Sequence, residues 1–469
     1  MLPILLLIAA LAAAPASEGW SRFRGPNGSG VSDSRGLPLE FGPATNVVWK
    51  TALPPGFSSP VIGGDRIFLT AHRGEALLTL ALDRRMGRIL WEREAPRSRV
   101  EPLDKRNNPA SPSPVTDGRD VYVFFGDYGV VAYTVEGRER WRVPLGPFNN
   151  VYGMGASPVL VDGAVVLVCD QGTNSFIIAL DARDGRVRWK TARPEARSGH
   201  STPIVYRPAA GAAQIVVPGS FLLTAYAADT GAKVWWVRGL AFELKSVPVV
   251  DGDTVYINGF GSNENEPGRH VDVPLAAEVF PARDADKDGR LSRDELPDRR
   301  AQGWMPFIDL DRDQRISRDE WDYYKAALDS ENGLLAIRLG GRGDVTATNV
   351  RWTYRRAVPQ LPSPLVYKNI LYMVNDGGIV TSLDPATGEV LKQGRLKGAI
   401  DAYFASPVAA DDKIFMVSEK GKVAVLKPDG SLDVLALNDL GEDAYATPAI
   451  MDGRLYVRTR STLYCFGSP

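Results

Sequence analysis

The sequence predicts an all-β protein: an eight-bladed β-propeller of four-stranded blades, closed by its N-terminal strand, with a small α-helical EF-hand insertion in blade five. Three observations lead to this prediction. A Ser/Thr-Pro strand start recurs along the 469 residues, a Gly-x-x-x-Trp strand completes most copies, and one overlong interval holds two acidic loops of twelve residues.

The first observation is the repeat itself. Eight copies of an apolar strand follow a proline that is preceded by Ser or Thr, or once by Ser-Val. The prolines are Pro60, Pro114, Pro158, Pro203, Pro248, Pro364, Pro407 and Pro448. Successive prolines lie 41 to 54 residues apart, except for one gap of 116. Four-stranded propeller blades repeat at about 40 to 45 residues, so eight copies predict eight blades.

The second observation is a tryptophan four residues after a turn glycine, which predicts a large ring packed between neighbouring blades. The clearest pairs are Gly87 with Trp91, Gly137 with Trp141, Gly185 with Trp189 and Gly231 with Trp235. Lys392 and Val434 stand at the expected tryptophan positions of copies six and seven. The last copy ends without a Trp strand, whereas the N-terminal region carries an orphan Trp49, so pairing these two ends would close the ring.

The third observation is the long interval inside blade five. Residues 262–332 are predicted to form a separate insertion, which divides the propeller into residues 17–261 and 333–469. Two loops there follow the oxygen-ligand spacing of calcium-binding EF-hands. The first offers Asp284, Asp286, Asp288, the carbonyl of Arg290, Ser292 and Glu295; the second offers Asp309, Asp311, Asp313, the carbonyl of Arg315, Ser317 and Glu320. Gln314 replaces the usual turn glycine of the second loop, and the apolar Leu291 and Ile316 are expected to form a short β-bridge between the loops.

Composition and the N-terminus bear on location. A formal charge of −1 gives no basic face for nucleic acid. Residues 1–16 read as a signal peptide ending in Ala14-Pro15-Ala16, too short to span a bilayer, and no cysteine follows for a lipid anchor. A periplasmic or secreted protein is therefore predicted.

Cys169 and Cys465 lie in apolar strands and are expected to be buried thiols rather than a disulfide.

The segment Ala228-Asp229-Thr230-Gly231 with Trp235, the Ser-Pro-Val strand starts and the opening WSRFRGPNGSGVS resemble the pyrroloquinoline-quinone-like β-propeller repeat family. The resemblance covers nearly the whole chain outside the signal peptide and the insertion. It implies either a non-enzymatic scaffold similar to the outer-membrane assembly lipoprotein B, or a quinone-dependent dehydrogenase with calcium and adjacent disulfide-bonded cysteines on the propeller axis. Adjacent cysteines are absent from the sequence, so pyrroloquinoline quinone is not expected as a cofactor.

No catalytic constellation stands out, whereas residues just before each strand start should surround one mouth of the central channel. The candidate binding ring comprises Asn108, Asn150, Tyr152, His200, Lys245, Asp401, Tyr403, Asp443 and Tyr445. Such aromatic, amide and charged groups suit a binding surface, and equally the satisfaction of backbone groups in tight loops. The sequence favours an exported calcium-binding scaffold for an unidentified protein or glycan partner. The alternatives are a quinone-dependent alcohol or sugar dehydrogenase and a glycan-binding module.

Overall fold

The computed structural model describes residues 19–269 and 271–467, so the predicted signal peptide lies outside the described residues. Eight separate β-sheets are arranged as the blades of one propeller. Strand β1 (Val47–Ala52) pairs antiparallel with the C-terminal strand β33 (Thr462–Phe466), and Trp49 lies opposite Cys465. The predicted closure of the ring by the N-terminal strand is therefore confirmed.

The remaining strands follow one another blade by blade. Blade one contains β2 (Val61–Gly63), β3 (Arg66–Arg73), β4 (Ala76–Asp83) and β5 (Ile89–Ala95), and blade two contains β6 (Val115–Thr116), β7 (Asp120–Phe125), β8 (Gly129–Thr134) and β9 (Glu139–Pro144). Blade three contains β10 (Val159–Val161), β11 (Ala164–Cys169), β12 (Phe176–Asp181) and β13 (Val187–Ala192), and blade four contains β14 (Ile204–Tyr206), β15 (Gln214–Gly219), β16 (Leu222–Ala227) and β17 (Lys233–Arg238).

Blade five interrupts this order because its second and third strands are far apart in sequence. Blade five contains β18 (Val249–Asp251), β19 (Thr254–Gly259), β20 (Gly333–Arg338) and β22 (Val350–Tyr354), and blade six contains β23 (Leu365–Tyr367), β24 (Ile370–Asn375), β25 (Ile379–Leu383) and β26 (Val390–Arg395). Blade seven contains β27 (Val408–Ala410), β28 (Lys413–Val417), β29 (Lys422–Leu426) and β30 (Val434–Asp439), and blade eight contains β31 (Ala449–Met451), β32 (Arg454–Arg458), β33 and β1. The short β21 (Gly343–Asp344) adds a parallel fifth strand to blade four.

Tryptophans on the outer strands clamp each blade to the next one. A Cβ built on Gly185 would lie 2.7 Å from the Trp141 ring, so only glycine allows the ring to lie this close. The indole Nε1 of Trp141 also donates to the carbonyl of Ala182, 2.9 Å away in the same turn. Trp49, Trp91, Trp189 and Trp352 make the corresponding pair of contacts with the next blade. The predicted packing of the tryptophans between blades is confirmed.

The assignment of Val434 to the tryptophan position of blade seven is wrong. In the sheet register Ala436, not Val434, occupies the equivalent place, opposite Val425. The turn before β30 contains seven residues, 427–433, whereas the turn before β13 contains five, 182–186, so the fixed glycine spacing fails there. Lys392 does occupy the position in blade six, opposite Ser382.

A circular set of hydrogen bonds joins the inner ends of the blades. Seven residues take part, and we call them the hydroxyl belt: Ser59, Ser113, Ser157, Thr202, Ser363, Ser406 and Thr447. The hydroxyl oxygen of each accepts from the backbone N–H of the residue at the same place in the preceding blade, at 2.9 to 3.0 Å. Val247 holds the eighth place and has no hydroxyl to accept the N–H of Thr202.

The segment after the predicted signal peptide closes one end of the central channel. Arg24, which is fully buried, donates to the carbonyl of Pro364, and Asn27 exchanges two hydrogen bonds with the backbone of Val205. Phe23 faces the channel and forms part of the lining of its cavity. The channel is therefore closed on this side and open at the other, which we call the mouth.

Three helices lie between β19 and β20: α1 (Ala276–Arg283), α2 (Arg299–Ile308) and α3 (Arg318–Asp329); a short α4 (Thr346–Asn349) precedes β22. The three helices surround a hydrophobic core of their own that includes Phe280, Ile308 and Trp321. The backbones of Leu291 and Ile316 exchange hydrogen bonds of 2.9 and 2.8 Å, which is the β-bridge expected between the two acidic loops.

Cys169 and Cys465 are both buried free thiols, in blade three and blade eight. Within residues 19–269 and 271–467, no helix combines the length and apolar character needed to cross a bilayer.

Candidate functional site

A cavity of about 420 Å³ occupies the propeller axis between the closed end and the mouth. The hydroxyl belt and Phe23 line its inner part, and side chains from the loops between blades line the mouth. On one side of the mouth, the rings of Phe57 and Tyr445 lie 4.3 Å apart, and Phe404 packs edge-on against Tyr445 at 5.2 Å. The cavity thus combines an aromatic wall with a polar base.

The structure brings only part of the candidate ring to this cavity. Tyr152, His200, Lys245 and Tyr445 line it. Asn108, Asn150, Asp401, Tyr403 and Asp443 do not belong to the lining. Tyr403 is 1% exposed and its hydroxyl donates to a backbone carbonyl, while the buried Asn150 amide donates to the carbonyl of Asp170. These two side chains therefore serve as hydrogen-bond donors to backbone carbonyls of the loops, which is the second role that the sequence left open.

Charged residues complete the mouth, and two of them, Asp104 and Arg106, were not singled out from the sequence. Arg106 forms two hydrogen bonds of 2.7 and 3.0 Å with Asp104, and its guanidinium lies 5.2 Å from the Tyr152 ring centre. The Lys245 ammonium lies 2.5 Å from the buried carboxylate of Glu243. Both cations at the mouth are therefore already paired with carboxylates. Each pair joins residues two positions apart in one loop, but the sequence does not show that Arg106 and Lys245 turn into the cavity.

His200 lies against this charged pair. Burial lowers its pKa to about 4, while the nearby carboxylate of Glu243 acts in the opposite direction and Lys245 acts with burial. Its Nε2 atom is buried without a hydrogen-bond partner among the described residues. His200 is therefore neutral at pH 7 in the folded protein.

The neutral state of His200 predicts a pH dependence of stability. The pKa of histidine in an unfolded chain is about 6.5, whereas that of His200 in the folded protein is about 4. Between these two pH values His200 is protonated in the unfolded chain and neutral in the folded protein. Stability should fall over this window as the pH is lowered. We expect His200→Gln, which cannot titrate, to show a shallower fall in melting temperature between pH 7 and pH 5 than the wild type. Identical slopes would show that His200 contributes nothing to this dependence.

The insertion lies on the mouth face. The β24–β25 loop of blade six contributes Asp376 to the cavity lining, and the insertion replaces the corresponding β19–β20 loop of blade five. Three contacts join it to the loop between blades two and three. Asn149 donates to the carbonyl of Leu310, Arg312 donates to the carbonyl of Asn150, and the Phe307 and Tyr152 rings lie 6.1 Å apart. The second acidic loop therefore rests directly beside the cavity mouth.

The acidic loops gather their carboxylates as metal sites do. Oxygens of Asp284, Asp286 and Glu295 lie within 4.8 Å of one another, and those of Asp309, Asp311 and Asp313 do the same. Among the other predicted ligands, Glu320 accepts from Leu310 and Ser317, and Ser292 donates to Glu295.

Two further observations suit a cation. The Oδ1 atoms of Asp284 and Asp309, at position one of each loop, are buried and have no hydrogen-bond partner in the described chain. Burial and the neighbouring Asp311 raise the pKa of Asp309. An unpartnered buried carboxylate oxygen is costly unless a cation or donor meets it. The donors are all oxygens, the set that hard cations such as Ca²⁺ or Mg²⁺ prefer, so both clusters can hold a metal ion.

Arginines link the two loops reciprocally. Arg290 of the first loop contacts the carboxylate of Asp313, and Arg315 of the second contacts that of Asp288. Each arginine therefore neutralises part of the negative charge at position five of the opposite loop. Together with the β-bridge, these pairs hold the two loops as one unit.

Gln314 adopts the backbone conformation of the glycine it replaces. Its φ is +66°, close to the +82° of Gly289 in the first loop, and both N–H groups donate to the position-one aspartate at 2.9 Å. A non-glycine residue in this region costs about 1 kcal/mol. We therefore expect Gln314→Gly to tighten metal binding at the second loop about fivefold in calorimetric titration. The first loop of the same molecule is the internal control, and an unchanged second affinity would contradict the strain argument.

Curated relatives match parts of the chain. The polyvinylalcohol dehydrogenase of a Pseudomonas species is 24% identical over 187 residues, which cover 35% of this chain and 28% of the relative. The outer membrane protein assembly factor BamB of Shewanella oneidensis is 25% identical over 289 residues, covering 54% of this chain and 67% of the relative. The chain therefore matches about a quarter of the former and two thirds of the latter.

Solved structures share the fold over almost the whole chain. BamB from Moraxella catarrhalis aligns with a TM-score of 0.56 at 14% identity, covering 90% of this chain and 98% of its own. A europium-containing methanol dehydrogenase aligns with a TM-score of 0.61 at 11% identity, covering 97% and 99%. The family profile described as outer membrane protein assembly factor BamB matches residues 43–173, 173–273 and 311–468. This chain belongs to that family of pyrroloquinoline-quinone-like β-propellers.

Proposed function

We propose that this chain is a calcium-binding propeller of the bacterial envelope that acts as a protein-binding or assembly scaffold, with its partner at the channel mouth. Family membership and the similarity to BamB support the scaffold role. The signal-peptide pattern of residues 1–16 supports export to the periplasm or beyond.

The observation that carries the proposal is one continuous surface formed by the mouth and the insertion. Tyr152 belongs to the cavity lining and contacts Phe307 of the insertion. Val100, which is 65% exposed, and Ile400, which is 56% exposed, lie on loops that also contribute to the lining. Phe307, on helix α2 of the insertion, is 38% exposed. Aromatic and apolar groups surrounded by paired charges are the composition of protein–protein interfaces.

Calcium fits the insertion better than magnesium does. The twelve-residue spacing supplies up to six or seven oxygens in a flexible loop, whereas Mg²⁺ demands a near-ideal octahedron and retains several waters. The three-helix insertion has only a small core, so calcium would stabilise it and keep its second loop against the mouth.

Site-specific photo-crosslinking tests the scaffold role. A photoreactive phenylalanine at Phe307 or Ile400 should capture one discrete protein in cells of the source organism, in amounts that fall when calcium is removed. The same probe at Val187, which is 55% exposed on the outer strand β13, is the control. No product from either mouth position, or the same products from Val187, would contradict a partner at the mouth.

A quinone-dependent dehydrogenase is the second candidate, favoured by the fold shared with methanol dehydrogenase and by an axial cavity of about 420 Å³. Against it, the two cysteines of the chain lie in different blades and cannot supply an adjacent pair. Calorimetric titration of pyrroloquinoline quinone into calcium-loaded protein, followed by dye reduction with alcohols and sugars, separates the two functions. We expect neither heat nor turnover, whereas turnover would establish the dehydrogenase.

A further inference from the structure

The hydroxyl belt presents donors that have no acceptor. All seven hydroxyl oxygens accept a backbone N–H, so their own protons are free to be donated. No described residue accepts any of these seven protons, and all seven residues line the inner part of the axial cavity. Buried hydroxyls that lack a protein acceptor require water or a ligand.

Two buried guanidinium groups adjoin the belt. Arg24 is 0% exposed and donates from Nη2 to the carbonyl of Pro364, the residue that follows belt member Ser363. Arg458 is 1% exposed and donates from Nη1 to the carbonyl and hydroxyl oxygens of Ser58, the residue that precedes belt member Ser59. Arg24 belongs to the segment that closes the channel, whereas Arg458 lies on the mouth side of the belt, where it also donates to the carbonyl of Pro54 in the loop that carries Phe57.

Neither cation has a carboxylate partner in the described chain. Burial lowers the pKa of each to about 9, and no nearby acid opposes this shift. Both groups are thus still protonated at neutral pH, although an uncompensated buried charge is costly. The Nε and Nη1 atoms of Arg24 also lack hydrogen-bond partners within the same residues. At the mouth, by contrast, Arg106 and Lys245 are neutralised by carboxylates.

We propose that the closed end of the axial cavity binds a small oxyanion, such as a sulfate-like or carboxylate ion, through the protons of the hydroxyl belt. The belt supplies donors from several directions, which suits an ion with several acceptor oxygens. The unpaired charges of Arg24 at the closed end and of Arg458 on the other side of the belt make the potential around the belt positive in a low-dielectric interior. The ion enters from the mouth, because the segment containing Phe23 closes the opposite side.

The test is calorimetric titration of sodium sulfate and sodium acetate into the intact protein. Ionic strength is held constant with perchlorate, which is a poor hydrogen-bond acceptor. One saturable site is expected for the wild type. Arg24→Met should weaken sulfate binding at this site at least tenfold. Arg207→Met removes an exposed guanidinium in the turn between β14 and β15 and should leave the affinity unchanged.

Val247→Thr keeps the test decisive if Arg24→Met fails to fold. The substitution removes no hydrogen bond, adds an eighth hydroxyl to the belt and gives the N–H of Thr202 an acceptor. It should bind sulfate severalfold more tightly than the wild type. Absence of a saturable site in the wild type would overturn the proposal, and so would an unchanged affinity in Val247→Thr.

Discussion

Replacing Trp141 with alanine should lower the free energy of unfolding by about 3–5 kcal/mol, the range for deleting a large buried aromatic side chain. The ring is 8% exposed and lies between two blades. Its removal opens a cavity at the junction with the turn of Gly185 and deprives the Ala182 carbonyl of its indole donor. Urea unfolding followed by tryptophan fluorescence and circular dichroism measures the change.

Two variants separate packing from hydrogen bonding. Trp141→Phe keeps most of the apolar contact and loses only the 2.9 Å bond, so we expect a loss of about 1 kcal/mol. Trp236→Ala is the matched control, because this half-buried tryptophan lies on β17 without a glycine turn beneath it, and it should cost less than about 1 kcal/mol. Equal losses from Trp141→Ala and Trp236→Ala would show that the clamp does not hold the blades together.

The repeat and the clamps could be predicted because each is local in sequence, and the closure could be predicted because each end of the chain holds part of an incomplete blade. A turn of constant length places Trp189 four residues after Gly185. The strand that carries Trp49 supplies the outer strand that the last repeat lacks. Where the turn length changes, the same reasoning fails, as at Val434 and Ala436. The twelve-residue spacing predicted the acids of both clusters, although Asp288 and Glu320, which it also included, lie outside them. The bridge between Leu291 and Ile316 follows from the apolar residue at position eight of each loop.

The remaining features depend on ring closure, which no single copy encodes. Each Ser/Thr-Pro dipeptide is visible in the sequence, but the belt exists only when every hydroxyl meets the N–H of another blade. The contact of Phe307 with Tyr152 joins residues 155 positions apart, and the pairing of Lys245 with Glu243 depends on how one loop turns into the cavity. Four members of the candidate ring line one cavity and five do not, and partner binding by the ring stays a prediction.

Calcium is expected to bind the insertion with a stoichiometry of two, and to stabilise the protein. Calcium at 100 times its dissociation constant stabilises the state that binds it by about 2.7 kcal/mol per site. Asp284→Asn and Asp309→Asn should each reduce the stoichiometry to one, because each removes a position-one carboxylate whose Oδ1 has no hydrogen-bond partner among residues 19–269 and 271–467. Isothermal titration calorimetry of protein freed of metal with a chelator measures both.

Asp294→Asn and Asp319→Asn are the matched controls. They remove the same charge from position eleven of the first and second loop, outside the ligand set, and should leave both sites filled.

The two loops also differ in which neighbouring segment they hold in place. Loss of the second site should expose residues 146–153 to hydrogen exchange, because Leu310 and Arg312 bind that segment. Loss of the first site should affect it less. If neither position-one variant changes the stoichiometry, the acidic loops are solvated turns, and the insertion is held to the mouth by its apolar core and backbone contacts alone.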